Sequence, residues 1–377
     1  MDRPVKLAGA RSPSSTPGRS PFPPIREYAF LSDCEVTALI APSGNVEWLC
    51  LPRLDSPSVF GAILDRDAGG FRFGPAEVQV PAARRYLPGT MVLETSWATR
   101  TGWAIVRDVL LIGPWHHTGE RSRVHRRVPT DYDAEHILLR SVRCVNGEVQ
   151  LSLECEPVFD YGLTRGEWSF TEEGYGQLRC VGPAPTAAAG GAAARPIELL
   201  LTSDINLGFE DSTAVARTLI KEGETRFCAL SWNGAPPPRT SEDAYAKLVW
   251  TAHHWQHWLA RGAFPDHPWR EYLERSALTL KGLTYEPTGA VVAAATTSLP
   301  ETPGGERNWD YRYSWIRDST FALWGLYTLG FDWEAMDYLY FIDDVASGDA
   351  DLQIMYGIDG ERVLEERTLD HLSGYEG

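Results

Sequence analysis

The chain contains 377 residues, a length typical of two or three domains. Apolar residues make up 43% of it, which is enough for a large core and excludes disorder for most of the chain, and no stretch approaches the roughly 18 uninterrupted apolar residues of a membrane-spanning helix. The net charge of −16 argues against a nucleic-acid partner or an anionic membrane surface.

The first 24 residues hold six prolines together with serine, glycine and arginine, and they offer almost nothing apolar to bury. We therefore predict a disordered tail over residues 1–24, and this segment lacks the apolar core of a secretory signal. The six cysteines include no CxxC pair: Cys34, Cys50, Cys144, Cys155, Cys180 and Cys228. This pattern argues against a zinc site and indicates reduced, mostly buried thiols in a cytoplasmic protein.

Residues 25–238 are predicted to form an N-terminal antiparallel β-sandwich domain, because many short strands follow one another with turns between them. Residues 149–155 alternate apolar and polar side chains, as in a half-buried strand. Residues 137–145 precede this strand through Asn146-Gly147, a dipeptide typical of tight turns, so we predict a hairpin. The remaining predictions are strands over 71–73, 91–97, 103–112 and 227–232, a hairpin joining the middle two, and a surface loop over the alanine-rich residues 182–196.

Residues 239–265 are predicted to form a helical linker. Three consecutive prolines end the β region, and Thr240 followed by Asp243 resembles a capping box that opens a helix. His253 and His257 lie four residues apart on this helix, but no carboxylate ligand accompanies them. We interpret them as surface or interdomain residues rather than as a metal site.

Residues 266–377 are predicted to be helical, with helices over 269–283, 318–330 and 331–345. The long irregular passage 284–316 separates the first two, and a connection of this length inside a compact domain is usually functional. So few helices do not close a helical toroid, so we expect an incomplete barrel. Most of the excess negative charge lies in residues 300–377, which is either a solvated acidic surface or a carboxylate-rich site for a hydroxyl-rich ligand.

The densest cluster of polar and aromatic residues is 307–318. Four aromatic side chains alternate with other residues, so an extended run places them on one face: Trp309, Tyr311, Tyr313 and Trp315. Asp310 and Arg312 then fall on the opposite face. Arg317 presents a planar fork for two hydroxyl oxygens, and Asp318 at a helix start accepts from two hydroxyls. Such a cluster suits a pyranose ring, whereas the alternative is an aromatic loop packed on the core with a structural salt bridge.

The segment 307–330, RNWDYRYSWIRDSTFALWGLYTLG, resembles the glucose-binding motif of glycoside hydrolase family 15. Other segments resemble that family in the same order along the chain, so the resemblance covers residues 25–377: 28–34, 43–53, 55–60, 275–281 and 352–357. Within the family, four segments resemble the α,α-trehalases of mycobacteria and related actinobacteria: 22–25, 30–34, 81–89 and 134–140.

The resemblance implies a β-sandwich, a helical linker and the first part of an (α/α)6 barrel, and the inverting hydrolysis of α,α-trehalose into two glucose molecules. It implies that Arg317 and Asp318 hold hydroxyls of the non-reducing glucose and that Tyr311 and Trp315 line this subsite. Tyr313 belongs to the same motif, with its role left open.

The family's general acid and general base are glutamates in segments that do not occur in residues 1–377, so no catalytic residue is assigned. Several carboxylates are available, but none matches a catalytic position: Glu301, Glu306, Glu361, Glu365 and Glu366. We therefore expect a C-terminally incomplete trehalase-like glycosidase that is inactive alone. Two alternatives remain open, a glucoamylase-type exo-α-glucosidase or, if the chain ends at Gly377, a non-catalytic carbohydrate-binding protein.

Hydrolysis by a pair of carboxyl groups requires no cofactor, and no metal-ligand spacing is present in the sequence. A dependence on phosphate or magnesium is an open expectation for the resembled trehalases. The expected partner is a small-molecule substrate, trehalose or a related α-glucoside, without nucleic acid or membrane. The sequence leaves the oligomeric state, including a homo-oligomer, undecided.

Overall fold

A computed structural model describes residues 22–113, 133–183, 196–346 and 351–377. Most of the predicted tail and most of the alanine-rich loop lie outside these ranges. At the end of the predicted tail, however, Pro23 is buried and Phe22 contacts Tyr375 edge to face, with ring centroids 5.4 Å apart. Residues 22 and 23 therefore belong to the packed protein rather than to a disordered tail.

Short strands dominate the described part of the chain. The strands are β1 Ala29–Ser32, β2 Thr37–Ile40, β3 Asn45–Cys50, β4 Ser58–Phe60, β5 Gly70–Pro75, β6 Ala83–Tyr86, β7 Leu93–Ala98, β8 Gly102–Ile112, β9 Ala134–Glu156, β10 Thr164–Arg165, β11 Glu167–Thr171, β12 Gly174–Val181, β13 Glu198–Ser203, β14 Gly208–Glu210, β15 Thr213–Lys221, β16 Thr225–Trp232, β17 Thr284–Tyr285, β18 Ala290–Val291, β19 Ser314–Trp315 and β20 Met355–Tyr356. The short turn α1 Phe159–Gly162 has positive φ at Asp160 and Tyr161 and is not a regular α-helix. The regular helices of the described ranges are α2 Ser241–Leu259, α3 Arg270–Gly282, α4 Ile316–Thr328 and α5 Asp332–Ala346.

The long strand β9 organises the β part of the molecule. Its first half pairs antiparallel with β8 and β16, and its second half pairs antiparallel with β5 and β15. Two antiparallel sheets therefore share this strand. Apolar side chains from both sheets, including Phe71, Val106 and Leu199, form one buried cluster. The antiparallel β structure predicted for this part of the chain is therefore present.

The hairpin predicted at Asn146-Gly147 is wrong, because β9 runs through this dipeptide without turning back. Gly147 has a φ of +68°, and the register of the pairing with β8 shifts between Trp103 and Ala104. The dipeptide therefore forms a bulge at which the strand leaves one sheet for the other. A Cβ on Gly147 would lie 2.2 Å from the Thr101 carbonyl oxygen, so only glycine fits here.

Other local predictions are confirmed. The predicted hairpin of β7 and β8 is present, and the strands expected at 71–73 and 227–232 lie in β5 and β16. Helix α2 follows Thr240, whose side-chain oxygen accepts a hydrogen bond from the Asp243 N–H at 3.1 Å. Helices α3, α4 and α5 occupy the three regions predicted downstream. No helix within the described ranges has the length and apolar character needed to cross a membrane.

The helices pack on the β part through a second buried cluster. Trp258 of α2 stacks on Phe331 with ring centroids 4.2 Å apart, and Met91 from the β part belongs to the same cluster. The Trp258 indole N–H donates to the buried Glu334 carboxylate at 2.6 Å, and the Lys281 ammonium lies 3.5 Å from that carboxylate. The contact therefore combines apolar burial with a buried charge that has partners.

Candidate functional site

The aromatic segment 309–315 is extended and is held along both edges. On one edge, the Ala293 N–H donates to the Tyr313 carbonyl at 3.1 Å and the Ala294 N–H donates to the Tyr311 carbonyl at 3.0 Å. On the other edge, β19 at the end of the segment pairs antiparallel with β20. The segment is therefore a fixed strand-like element at the start of α4.

Successive side chains of this segment point to opposite faces. Arg312 is only 2% exposed, whereas Trp309 is 48% exposed and the rings of Tyr311, Tyr313 and Trp315 are half-buried. The Tyr311 and Trp315 ring centroids lie 6.4 Å apart, with the ring planes inclined by 38°. The alternation in sequence therefore produces an aromatic face that reaches solvent.

Arg317 and Asp318 lie in the first turn of α4, directly after the aromatic segment. The guanidinium Nη2 and the carboxylate Oδ2 are 3.1 Å apart, and the side chains are 74% and 40% exposed. The positive end of the helix dipole favours the charge of Asp318. This pair is therefore open to solvent, unlike the sealed structural salt bridge that the sequence also allowed.

Glu301 is a member of this surface to which the sequence assigned no role. The Tyr311 hydroxyl donates to the Glu301 carboxylate at 2.7 Å, and this hydrogen bond raises the pKa of Tyr311. The Arg307 guanidinium lies 3.7 Å from the same carboxylate, and the Glu301 N–H donates to the Arg307 carbonyl at 2.9 Å. Gly304-Gly305 allows the chain to fold back between Glu301 and Arg307. This glycine pair is the sequence signal from which the placement of Glu301 beside the aromatic segment could have been predicted.

The opposite face of the segment is anchored in the β part by Arg312. Its guanidinium donates to the Ser56 carbonyl at 2.7 Å, the Tyr161 hydroxyl at 2.5 Å and the Asp310 carboxylate at 2.7 Å. The Cys50 sulfur lies 3.3 Å away, and burial raises the pKa of its thiol to about 12, so it stays protonated. Tyr161 precedes Arg312 by 151 residues, so no local pattern predicted this contact.

The described residues also contain two cavities that lie away from the aromatic segment. A cavity of about 270 Å³ lies between α2 and the Leu87 region, and one of about 190 Å³ lies beside Tyr28 and Arg84; neither is lined by residues of 307–318. Within the described ranges, no group of three or more His, Cys, Asp or Glu residues is arranged to hold a metal ion. His253 on α2 is exposed.

The outer sides of α4 and α5 expose large apolar side chains. These are Phe321, Trp324, Tyr327, Trp333, Met336 and Leu339. Large apolar patches are rare on the surface of a monomer and usually mark a contact with another element. Phe321, Trp324 and Tyr327 lie on α4, whose first turn contains Arg317 and Asp318.

Two family descriptions match the chain. Residues 267–377 match the glycosyl hydrolases family 15, and residues 17–110 match the trehalase-like N-terminal domain. The first match includes the aromatic segment and the start of α4, whereas the second covers the beginning of the β part.

Curated relatives and a solved structure extend these matches. The chain is 59% identical to the trehalase of Mycobacterium tuberculosis, in a match that covers 96% of this chain and 53% of the relative. It is 32% identical to the trehalase of Thermoplasma acidophilum, in a match that covers 90% of this chain and 54% of the relative. It therefore spans about half the length of the curated relatives it matches. The structure of a bacterial glucoamylase complexed with acarbose aligns with a TM-score of 0.52 at 12% identity, covering 87% of this chain and 50% of that chain, which is a similarity of fold alone. The expected resemblance to family 15 and to mycobacterial trehalases is confirmed.

Proposed function

We propose that this chain carries the glucose-binding portion of an inverting family 15 glycoside hydrolase that splits α,α-trehalose into two glucose molecules. The observation that carries the proposal is the open surface formed by Tyr311, Trp315, Arg317 and Asp318. This surface lies inside the segment that matches glycosyl hydrolases family 15. The high identity to a mycobacterial trehalase supports trehalose over other α-glucosides.

The chemistry of these side chains supports a pyranose ligand. Aromatic faces cover the C–H faces of a sugar ring, and Tyr311 and Trp315 supply two such faces side by side. The guanidinium of Arg317 donates in a planar fork, and the carboxylate of Asp318 only accepts. Together they satisfy neighbouring hydroxyls, each of which both donates and accepts. Tyr313 contributes a third ring of the same segment.

The proposal includes the architecture expected from the sequence. Residues 25–238 form the N-terminal β-sandwich domain, 239–265 form a helical linker, and 266–377 form the first portion of an (α/α)6 barrel. The exposed apolar side of α4 and α5 supports this, because each helix of such a barrel packs against neighbouring helices. The fold similarity to a bacterial glucoamylase supports it as well.

Inverting hydrolysis needs one carboxyl group that protonates the leaving oxygen and a second, about 6.5–9.5 Å away, that activates water. No glutamate of residues 1–377 matches either role, so we expect these residues to bind the sugar without hydrolysing it. The carboxyl-pair mechanism needs no cofactor, and a dependence on phosphate or magnesium stays a prediction. The six cysteines are buried free thiols, which supports a cytoplasmic location.

Sugar binding to residues 1–377 tests the proposal. We expect trehalose and glucose to bind in calorimetric titration and to give saturation-transfer NMR signals. Asp318→Asn should weaken binding about tenfold, because a charged acceptor of sugar hydroxyls is lost. Glu198→Gln is the matched control, since Glu198 forms an exposed ion pair with Arg179 at 2.6 Å on the β part.

The outcomes separate the proposal from its alternatives. Tighter binding of maltose than of trehalose would favour a glucoamylase-type specificity. Hydrolysis of trehalose by the purified chain, abolished by Asp318→Asn, would contradict the expectation of binding alone. Equal affinity of the Asp318→Asn and unmodified proteins would overturn the assignment of the sugar surface.

A further inference from the structure

Arg312 lies at the centre of a contact that joins the β part to the aromatic segment. Its side chain is almost completely buried, at 2% exposed. It reaches two separate regions of the β part, the Ser56 carbonyl after β3 and the Tyr161 hydroxyl of α1. The Asp310 carboxylate, on the same face of the segment, pairs with it and compensates its charge. Every strong contact of this guanidinium therefore connects the aromatic segment to the β part or stiffens the segment itself.

The Tyr161 side of this contact is held in a strained backbone. Asp160 and Tyr161 have φ values of +56° and +57°, in the left-handed region that residues with a Cβ rarely adopt. Gly162 follows with a φ of +92°, and the Tyr161 carbonyl is 2.9 Å from the His371 Nε2. Consecutive strained residues persist only where surrounding contacts hold them, and such strain clusters at functional sites. Here the strained turn places the partly buried Tyr161 hydroxyl against Arg312.

The geometry of a strand transmits this anchor to the opposite face. Arg312 lies between Tyr311 and Tyr313, and side chains alternate along an extended segment. Anchoring the Arg312 side chain in the β part therefore fixes the position of this backbone and its rotation about its own axis, and with them the placement of the neighbouring rings. The Tyr311 ring in turn lies beside the Trp315 ring, two residues before Arg317.

We propose that Arg312 and Tyr161 are positioning residues of the sugar surface: the β part sets the placement of the Tyr311 and Trp315 rings through this buried contact. This inference rests on the proposed function for its consequence in sugar binding. The geometric claim, that the contact holds the aromatic segment in place, does not depend on it. We expect neither side chain to touch the sugar, because Arg312 is buried on the face of the segment opposite the rings and Tyr161 contacts Arg312 on that face.

Two conservative variants test the proposal in the 377-residue chain. Tyr161→Phe removes only the hydroxyl that accepts from Arg312, and Arg312→Lys keeps the charge but loses the planar fork. The matched controls are Tyr86→Phe, whose hydroxyl bonds the Phe30 backbone, and Arg140→Lys, whose buried guanidinium pairs with Asp108 in the sheets.

The first readout is hydrogen–deuterium exchange of the Ala293 and Ala294 amides, which donate to the aromatic segment. The second is the dissociation constant for trehalose and for glucose, measured beside the urea midpoint of each variant. We expect both test variants to speed exchange of these amides, with Arg312→Lys weakening binding about tenfold and Tyr161→Phe about threefold. The controls should lower the urea midpoint without changing either readout.

The outcomes distinguish this inference from the proposed function. Faster exchange together with weaker binding supports it. Unchanged exchange and unchanged affinity in Tyr161→Phe would overturn it even if Arg312→Lys fails to fold. If the test variants exchange faster but the unmodified protein binds neither sugar, the claim that the contact anchors the aromatic segment stands and the proposed function is contradicted. If the control variants lose as much affinity and amide protection as the test variants, the contact contributes only to general stability, and the positioning role is refuted.

Discussion

The stability of the fold should fall as pH rises through neutrality because of a buried carboxyl group, Asp33. One oxygen of this side chain accepts the N–H groups of Glu35 and Val36 at 3.0 and 2.8 Å. The other, Oδ2, is buried and has no hydrogen-bond partner among the described residues. Burial and the neighbouring Glu35 charge raise the pKa of Asp33 to about 7, although the backbone donors and His136 oppose them.

The magnitude follows from this shift. A carboxyl group whose pKa is 3.8 when unfolded and about 7 when folded binds a proton preferentially in the folded state. Its stabilising contribution is complete below the unfolded pKa and is lost as pH rises through the folded pKa, at about 1.4 kcal/mol per pKa unit. Between about pH 6 and about pH 8, we expect the free energy of unfolding to fall by roughly 1 kcal/mol on account of Asp33. His136 acts in the same direction, because its hydrogen bond to Glu35 at 3.0 Å raises its pKa.

Urea denaturation followed by tryptophan fluorescence across this pH range measures the effect. Asp33→Asn keeps the acceptor for both backbone N–H groups and removes the charge, so its unfolding free energy should depend less on pH and exceed that of the unmodified protein above about pH 8. Asp65→Asn is the control: backbone donors from Asp67 and Ser373 outweigh partial burial and lower the pKa of Asp65, so its linkage lies at acidic pH. An Asp33→Asn profile parallel to that of the unmodified protein would refute the reasoning.

Two further predictions concern packing and backbone conformation. Phe331→Ala removes a completely buried ring stacked on Trp258 and should lower the free energy of unfolding by about 3–5 kcal/mol in urea titrations. Phe331→Leu should recover part of this loss. An unchanged urea midpoint in Phe331→Ala would contradict the packing described here. Gly147→Ala should cost more than about 2 kcal/mol, because the new Cβ meets the Thr101 carbonyl in a backbone with positive φ. Gly223→Ala, at a φ of +84° with open space around it, should cost only about 1 kcal/mol by the same measurement, and equal losses would refute the steric argument.

Local signals predicted the elements whose causes are local. The cap at Thr240 needs only the residues of the first helical turn, so the sequence located the start of α2 correctly. Asn146-Gly147 carries an equally strong local signal, yet it forms a bulge rather than a turn. A glycine with positive φ suits both, and the choice depends on the distant strands β5, β8, β15 and β16 that pair with β9. Short-range patterns contain no information about those partners.

The same limit applies to the site. The alternation of 309–315 predicted an aromatic face, and the structure has one. It did not predict that Arg312 would be buried, because a charged residue opposite an aromatic row is ordinarily solvated. Burial is favourable because Asp310, Tyr161 and the backbone carbonyls of Leu54 and Ser56 satisfy its guanidinium.

The carboxylates of residues 300–377 differ in their surroundings, although they look alike in composition. Most of these carboxylates are solvated, as for Glu365, 73% exposed beside Arg367. Glu301 differs, because it accepts from the Tyr311 hydroxyl and lies beside Arg307 at the edge of the aromatic face. A carboxylate held in this way orients the phenol ring that the proposed sugar would cover. Glu301 is itself exposed, so only its contacts with Tyr311 and Arg307 distinguish it from the other carboxylates. Those contacts depend on the backbone reversal between Glu301 and Arg307, which a count of charges does not predict.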